Sequence, residues 1–176
     1  MLLSIVWTVA ALVAVHTPNA PAARVELIDQ RGTAFAFEQL AGTPLVVTFV
    51  SAHCSDACPI LEAQIARCVD SFGHSPFAIR FLTLTLDPER DTPLDMRRIA
   101  KVFDADPQRW IVATGAPPGV HALMHRFGVR TQRDAHGYAT AHTTLVYLLD
   151  AHLHLVRTLF ASDDLNAGLL EEDLAQ

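Results

Sequence analysis

Val46-Val47-Thr48-Phe49-Val50-Ser51-Ala52-His53-Cys54-Ser55-Asp56-Ala57-Cys58-Pro59 is the stretch on which the reading of the chain turns. Leu45 to Val50 is apolar and rich in β-branched residues, the pattern of a strand buried on both faces. Ser55 and Asp56 are helix-capping residue types, and Pro59 suits the first turn of a helix. Beyond them Leu61, Ile65, Cys68 and Phe72 recur at helical spacing. The two thiols of a C-x-x-x-C pattern therefore stand where an inner strand hands over to a helix N-terminus. The helix dipole and the unpaired N–H groups there favour thiolate over thiol. Such a pair can close a disulfide or hold a soft metal ion. The rest of the chain has to decide between the two.

Upstream, Val25–Asp29 and Ala34–Phe37 alternate across an Asp-Gln-Arg-Gly turn and predict a hairpin covering one edge of the fold. Downstream, Ala78–Leu86 predicts a second buried strand that ends in Asp87-Pro88-Glu89-Arg90-Asp91-Thr92-Pro93. Thr92 is placed to cap a second helix, with Pro93 in its first turn and Asp95 completing a capping box. The inner face of that helix is Met96, Ile99, Ala100 and Phe103. Arg109–Thr114 is a third strand. Pro117 and Pro118 open a helix with Val120, Leu123, Met124 and Phe127 on one stripe, stopped by Gly128. Thr144–Leu149 and Leu153–Phe160 form a second hairpin, and a terminal helix is expected from Asp163 onward. Alternating strands and helices that close on an antiparallel hairpin give an α/β fold, a mixed sheet with helices on both faces. With paired cysteines after an inner strand, this resembles thioredoxin-like architecture.

The 176 residues, 51% hydrophobic and 18% charged, suffice for one domain with a substantial core. A formal net charge of −6 without any Lys/Arg cluster argues against a nucleic-acid partner. Met1 to Val15 is apolar apart from Ser4 and Thr8, short for a membrane span, and is followed by small residues resembling a signal-peptidase site. No Lys or Arg precedes the apolar run. Residues 1–22 are read as a signal peptide or membrane anchor and residues 23–176 as the folded domain. Export puts the domain in the periplasm, either released there or anchored and facing it. Its thiols then need protection or a reducing partner.

In thioredoxin-like folds the loop before the penultimate strand lies beside the active cysteines and carries a cis-proline. Here it reads Tyr138-Ala139-Thr140-Ala141-His142-Thr143, with a histidine and no proline. Cu(I) prefers soft thiolates and accepts imidazole, so Cys54, Cys58 and His142 form a candidate copper site. At this point the chain resembles the Sco/SenC copper-binding proteins. The matching segments are Thr48-Phe49 through His53-Cys54-Ser55-Asp56-Ala57-Cys58-Pro59, Leu86 to Pro93, Arg126-Phe127-Gly128-Val129 and Tyr138 through His142 to Asp150. The resemblance implies copper ligands at Cys54, Cys58 and His142. It also implies a role in assembling the binuclear copper centre of cytochrome c oxidase, with its copper-site subunit or another copper protein as partner. The family commonly has an acidic residue before the histidine, where this chain has Ala141. Asp87, ending the neighbouring strand, is expected close to the cysteines.

The competing reading is a thiol-disulfide oxidoreductase in which Cys54 attacks and Cys58 resolves, with a thiol reductant as further partner. A peroxidase is a third, weakened because Ser51 stands where those enzymes use Thr. Cys68 is read as a buried, inert thiol, and His53 as a hydrogen-bonded or solvent-facing loop residue that could also serve as an auxiliary ligand. His121, His125, His152 and His154 are read as surface residues.

Overall fold

The computed structural model describes residues 24–54, 57–75, 77–135, 137, 139–142, 144–160 and 165–175; of residues 74 and 139–142 only the backbone is described. The segment 1–22, the expected caps Ser55 and Asp56, and His136, Tyr138 and Thr143 lie outside the described residues. The chain forms β1 (Glu26–Asp29), β2 (Ala34–Ala36), β3 (Leu45–Val50), α1 (Ala57–Ser71), β4 (Arg80–Thr85), α2 (Pro93–Val102), β5 (Trp110–Gly115) and α3 (Pro117–Arg126). It continues through β6 (Thr131–Arg133), β7 (Ala139–His142), β8 (Leu145–Leu149), β9 (Leu155–Phe160) and α4 (Ala167–Leu174).

Seven strands make one sheet in the order β2-β1-β5-β4-β3-β8-β9. β3, β4 and β5 run parallel, joined by the crossover helices α1 and α2, while β1 and β8 pair antiparallel on either side. The N-terminal hairpin covers one edge, as its alternation predicts.

All six residues of β3 are buried, and their alternation divides the core in two. Leu45, Val47 and Phe49 face a cluster with Phe37, the α3 stripe Val120, Leu123, Met124 and Phe127, and Tyr147. Phe49, Phe127 and Tyr147 meet there with ring centroids 5.0–6.0 Å apart. Val46 and Val50 face the other cluster, which holds Leu61, Ile65 and Cys68 of α1, Met96 of α2 and Leu170 of α4. Packed on both faces, β3 is a firmly held platform, and the thiols are mounted at its end.

The helix signals act as written. The Thr92 hydroxyl accepts the Asp95 N–H, and the Asp95 carboxylate accepts the Thr92 N–H, so both halves of the capping box are made. Gly128 ends α3 with φ +67°, the left-handed conformation that glycine adopts without penalty. Two expectations need correction. The terminal helix begins at Ala167, not near Asp163, because Asn166 supplies the cap by accepting the Leu169 N–H. Residues 138–143 are not simply a loop: Ala139–His142 is a strand pairing with Thr131–Arg133 in a separate two-stranded sheet. β6 (Thr-Gln-Arg) carries no apolar residue, and the Ala-Thr-Ala-His alternation of β7 is too short and too small to mark a strand by itself.

Candidate functional site

The site lies beyond the carboxyl end of β3, where parallel and antiparallel neighbours part and α/β sheets leave a crevice. After Val50 the chain makes a tight turn in which the Cys54 N–H donates to the Ser51 carbonyl at 3.1 Å. Cys54 is half-buried beside it, and Cys58, in the first turn of α1, is 3% exposed. The Cys58 N–H donates to Cys54 Sγ at 3.4 Å, so one of the unpaired donors of the helix start is aimed at that sulfur. The cysteines are unbridged.

The expectation that the helix terminus acidifies both thiols fails for Cys58. Burial pushes its thiol well above the ordinary value, and the neighbouring Cys54 raises it further. Removing a charge from water outweighs a terminal dipole effect that amounts to about 1 kcal/mol. The pair is therefore asymmetric, one sulfur accessible and one deep. Cys68 is fully buried and its thiol is pushed up to about 12 by burial, in keeping with an inert core residue.

A cleft of about 260 Å³ opens beside the thiols, lined by Cys54, Cys58 and Glu62 together with Arg98, Val102 and Phe103 of α2. Glu62 had no part in the reading of the sequence. It lies one turn after Cys58 on the inner face of α1 and is 2% exposed. Its carboxyl accepts from the Thr83 hydroxyl at 3.1 Å, and no Lys, Arg or His pairs with it among the described residues. Burial raises its pKa from 4.5 to about 8, against the pull of the Thr83 and Thr48 hydroxyls. The signal was present: its i+4 spacing from Cys58 and i−3 from Ile65 put it on the apolar stripe.

Among the described residues, the carboxylate that hydrogen-bonds the cysteine turn is that of Asp91. Asp91 Oδ2 accepts from the Ala52 N–H at 3.1 Å and the Thr85 hydroxyl at 2.6 Å, and Oδ1 pairs with His53 Nδ1 at 3.0 Å. Burial pushes the Asp91 carboxyl up, and those three partners pull it back. Asp87 is fully buried, but its carboxylate is taken by Arg90 and Arg133. His53 is thus a hydrogen-bonded loop residue. His125, His152 and His154 are exposed, as is His121, which pairs with Glu89 at 3.2 Å. The backbone of His142 opposes Thr131 in the small sheet; its side chain is outside the described residues.

The sequence profile of SCO1/SenC matches residues 15–175. An SCO2-like protein of Rickettsia felis is 29% identical over 132 residues, 72% of this chain and 63% of that one, so the match spans under two thirds of the relative's length. The structure of Bradyrhizobium japonicum ScoI with copper bound superposes with a TM-score of 0.74 at 26% identity, covering 88% of this chain and all of that one. Arabidopsis thaliana ScoI with copper bound gives a TM-score of 0.73 at 24% identity, over 87% and 98% of the two chains, which shows the shared thioredoxin-like fold. A seven-stranded mixed sheet, a C-x-x-x-C at the end of its buried central strand and a profile match over nearly the whole chain agree, and the chain belongs to the SCO1/SenC family.

Proposed function

We propose that this chain is a copper metallochaperone. In its reduced form it takes one copper ion on Cys54 Sγ, Cys58 Sγ and the His142 imidazole. It then passes the ion by ligand exchange to a protein that carries a copper site. The target implied by the family is the binuclear centre of cytochrome c oxidase. The observation that carries the reading is the mounting of two unbridged sulfurs, one half-exposed and one buried, across the first turn of α1 on the rigid end of β3. Soft thiolates suit Cu(I), and a third ligand from another segment closes a low-coordinate site. Loading displaces the Cys58 proton, so uptake releases protons. The apolar segment at the N-terminus, read as an export signal or anchor, puts this exchange in the periplasm.

The depth difference between the sulfurs also favours a second reading, a thiol-disulfide reductase serving the same partner. Cys54 thiolate would attack a partner disulfide and release one partner thiolate. Cys58 would then attack Cys54 in the mixed disulfide, releasing the second partner thiolate and leaving an oxidised Cys54–Cys58 pair for an external thiol reductant to restore. Competition for Cu(I) against a chromophoric chelator separates the two. The metallochaperone predicts one copper per reduced chain and a far larger loss of affinity in His142→Ala than in His121→Ala. Equal losses would remove His142 from the site, and rapid disulfide exchange with no copper uptake would leave the reductase.

A further inference from the structure

We propose that Asp87 and Asp91 share the positioning of the site between them. Asp91 holds the cysteine turn, Asp87 holds the β6–β7 hairpin, and the corner between β4 and α2 fixes the distance from one to the other. The two carboxylates are four residues apart and wholly shielded from water. Their backbones are tied together, since the Asp91 N–H donates to the Asp87 carbonyl at 2.8 Å. The corner is anchored from both sides: the Asp87 N–H donates to Thr85 Oγ1 at 2.9 Å, and the Thr114 hydroxyl donates to the Asp91 carbonyl at 3.0 Å.

From this corner the carboxylates reach different segments. Asp91 takes Ala52 and His53, the two residues before Cys54. Asp87 accepts from Arg133 Nη1 of β6 at 2.8 Å and from Arg90 Nη1 at 3.1 Å. Both guanidiniums then converge on one carbonyl, that of Gly137, each at 2.8 Å. Gly137 lies in the connection between β6 and β7 with φ +81°, and a Cβ there would stand 2.7 Å from Arg90 Nη2. The backbone conformation favours glycine there, and a larger residue would also displace the Arg90 guanidinium from its present seat. Through the pairing of Thr131 with His142, what grips β6 also places the backbone of residue 142. Charge-assisted bonds to a buried carboxylate are among the strongest polar contacts a fold offers. A corner whose carboxylates are held by Ala52, His53, Thr85, Arg90 and Arg133 acts as a spacer between the two halves of the proposed ligand set.

The purpose of the spacer rests on the copper reading above; the division of labour does not, so the test has separate arms. Asparagine has the shape of aspartate but one acceptor oxygen in place of two. Asp91→Asn loses the carboxylate charge and keeps His53 only with the imidazole Nδ1 as acceptor, and Asp87→Asn leaves one neutral oxygen to serve two guanidiniums that a carboxylate held. Amide hydrogen exchange on the reduced, metal-free full chain reads the result. Asp87→Asn is expected to speed exchange of β6 and β7 by about tenfold and leave residues 50–54 at the wild-type rate, and Asp91→Asn to do the reverse. Arg133→Gln, which leaves the carboxylate with Arg90, should repeat the Asp87→Asn pattern if that variant does not fold. Cys54 reactivity toward an aromatic disulfide should change in Asp91→Asn and not in Asp87→Asn. In the copper arm, Asp87→Asn should weaken Cu(I) binding only where His142 is present, adding nothing to His142→Ala. Equal exchange changes in both segments for both variants, or none in either, would overturn the division. A wild-type chain that takes no copper would overturn the functional reading and leave the exchange arm to decide this one.

Discussion

Replacing Glu62 by glutamine should abolish a pH-dependent loss of stability that wild type carries. Glu62 is 2% exposed, meets only threonine hydroxyls among the described residues and holds its proton up to about pH 8. Below its ordinary value of 4.5 the carboxyl is protonated in both folded and unfolded chains and contributes no pH dependence. Between that value and about 8 the unfolded chain sheds the proton while the folded chain keeps it. The unfolded state gains over this window, so stability falls as pH rises and levels off above about 8. At about 1.4 kcal/mol for each pH unit the interval amounts to about 5 kcal/mol, against a total of about 5–15 kcal/mol for an ordinary domain. A term of that size cannot hide. Glutamine keeps the shape, stays neutral at every pH, and its amide can meet the same two hydroxyls. Urea unfolding of the reduced proteins from pH 4.5 to 8 reads the difference. Wild type should lose stability relative to Glu62→Gln by several kcal/mol across the range. Parallel curves would mean that Glu62 ionises in the folded protein at its ordinary pKa, and its burial on the inner face of α1 would have to be abandoned.

Phe49→Ala removes one ring of the aromatic cluster on one face of β3 and should cost about 3–5 kcal/mol in urea unfolding. A loss below about 1 kcal/mol would show that the ring is not packed as described. Cys68→Ala should leave copper stoichiometry at one ion per reduced chain, since that sulfur is sealed in the core. A drop in stoichiometry or in thiol exchange would give Cys68 a part in the chemistry. Thr92→Ala removes the hydroxyl half of the α2 capping box, leaving the backbone half to Asp95, and should cost about 1 kcal/mol of stability with copper affinity unchanged.

The main sheet was legible because its signals are local. β3 is a continuous apolar run, α2 carries a complete capping box, and α3 shows a four-residue apolar stripe closed by a glycine. The position of the two cysteines followed from the same strand-to-helix boundary. What escaped was set by contacts between distant residues. β6 and β7 pair through their backbones, and the short Ala-Thr-Ala-His alternation of β7 is a weak strand signal. Asp87 and Asp91 share one motif and are equally acidic in sequence; only folding shows that one turns to Arg133, 46 residues on, and the other to Ala52, 39 residues back. Glu62 drew no reading, although its spacing puts it on the apolar stripe of α1, because a charged letter by itself does not announce burial. The acidity of Cys58 was misjudged for the same reason: the helix dipole is visible in sequence, whereas depth is not.

X-ray absorption at the copper edge of the reduced, copper-loaded protein tests the ligand set most directly. Two sulfurs and one nitrogen on a single Cu(I) are expected, with the nitrogen lost in His142→Ala and retained in His121→Ala. A wild-type spectrum without nitrogen, or an unchanged spectrum in His142→Ala, would contradict that ligand set.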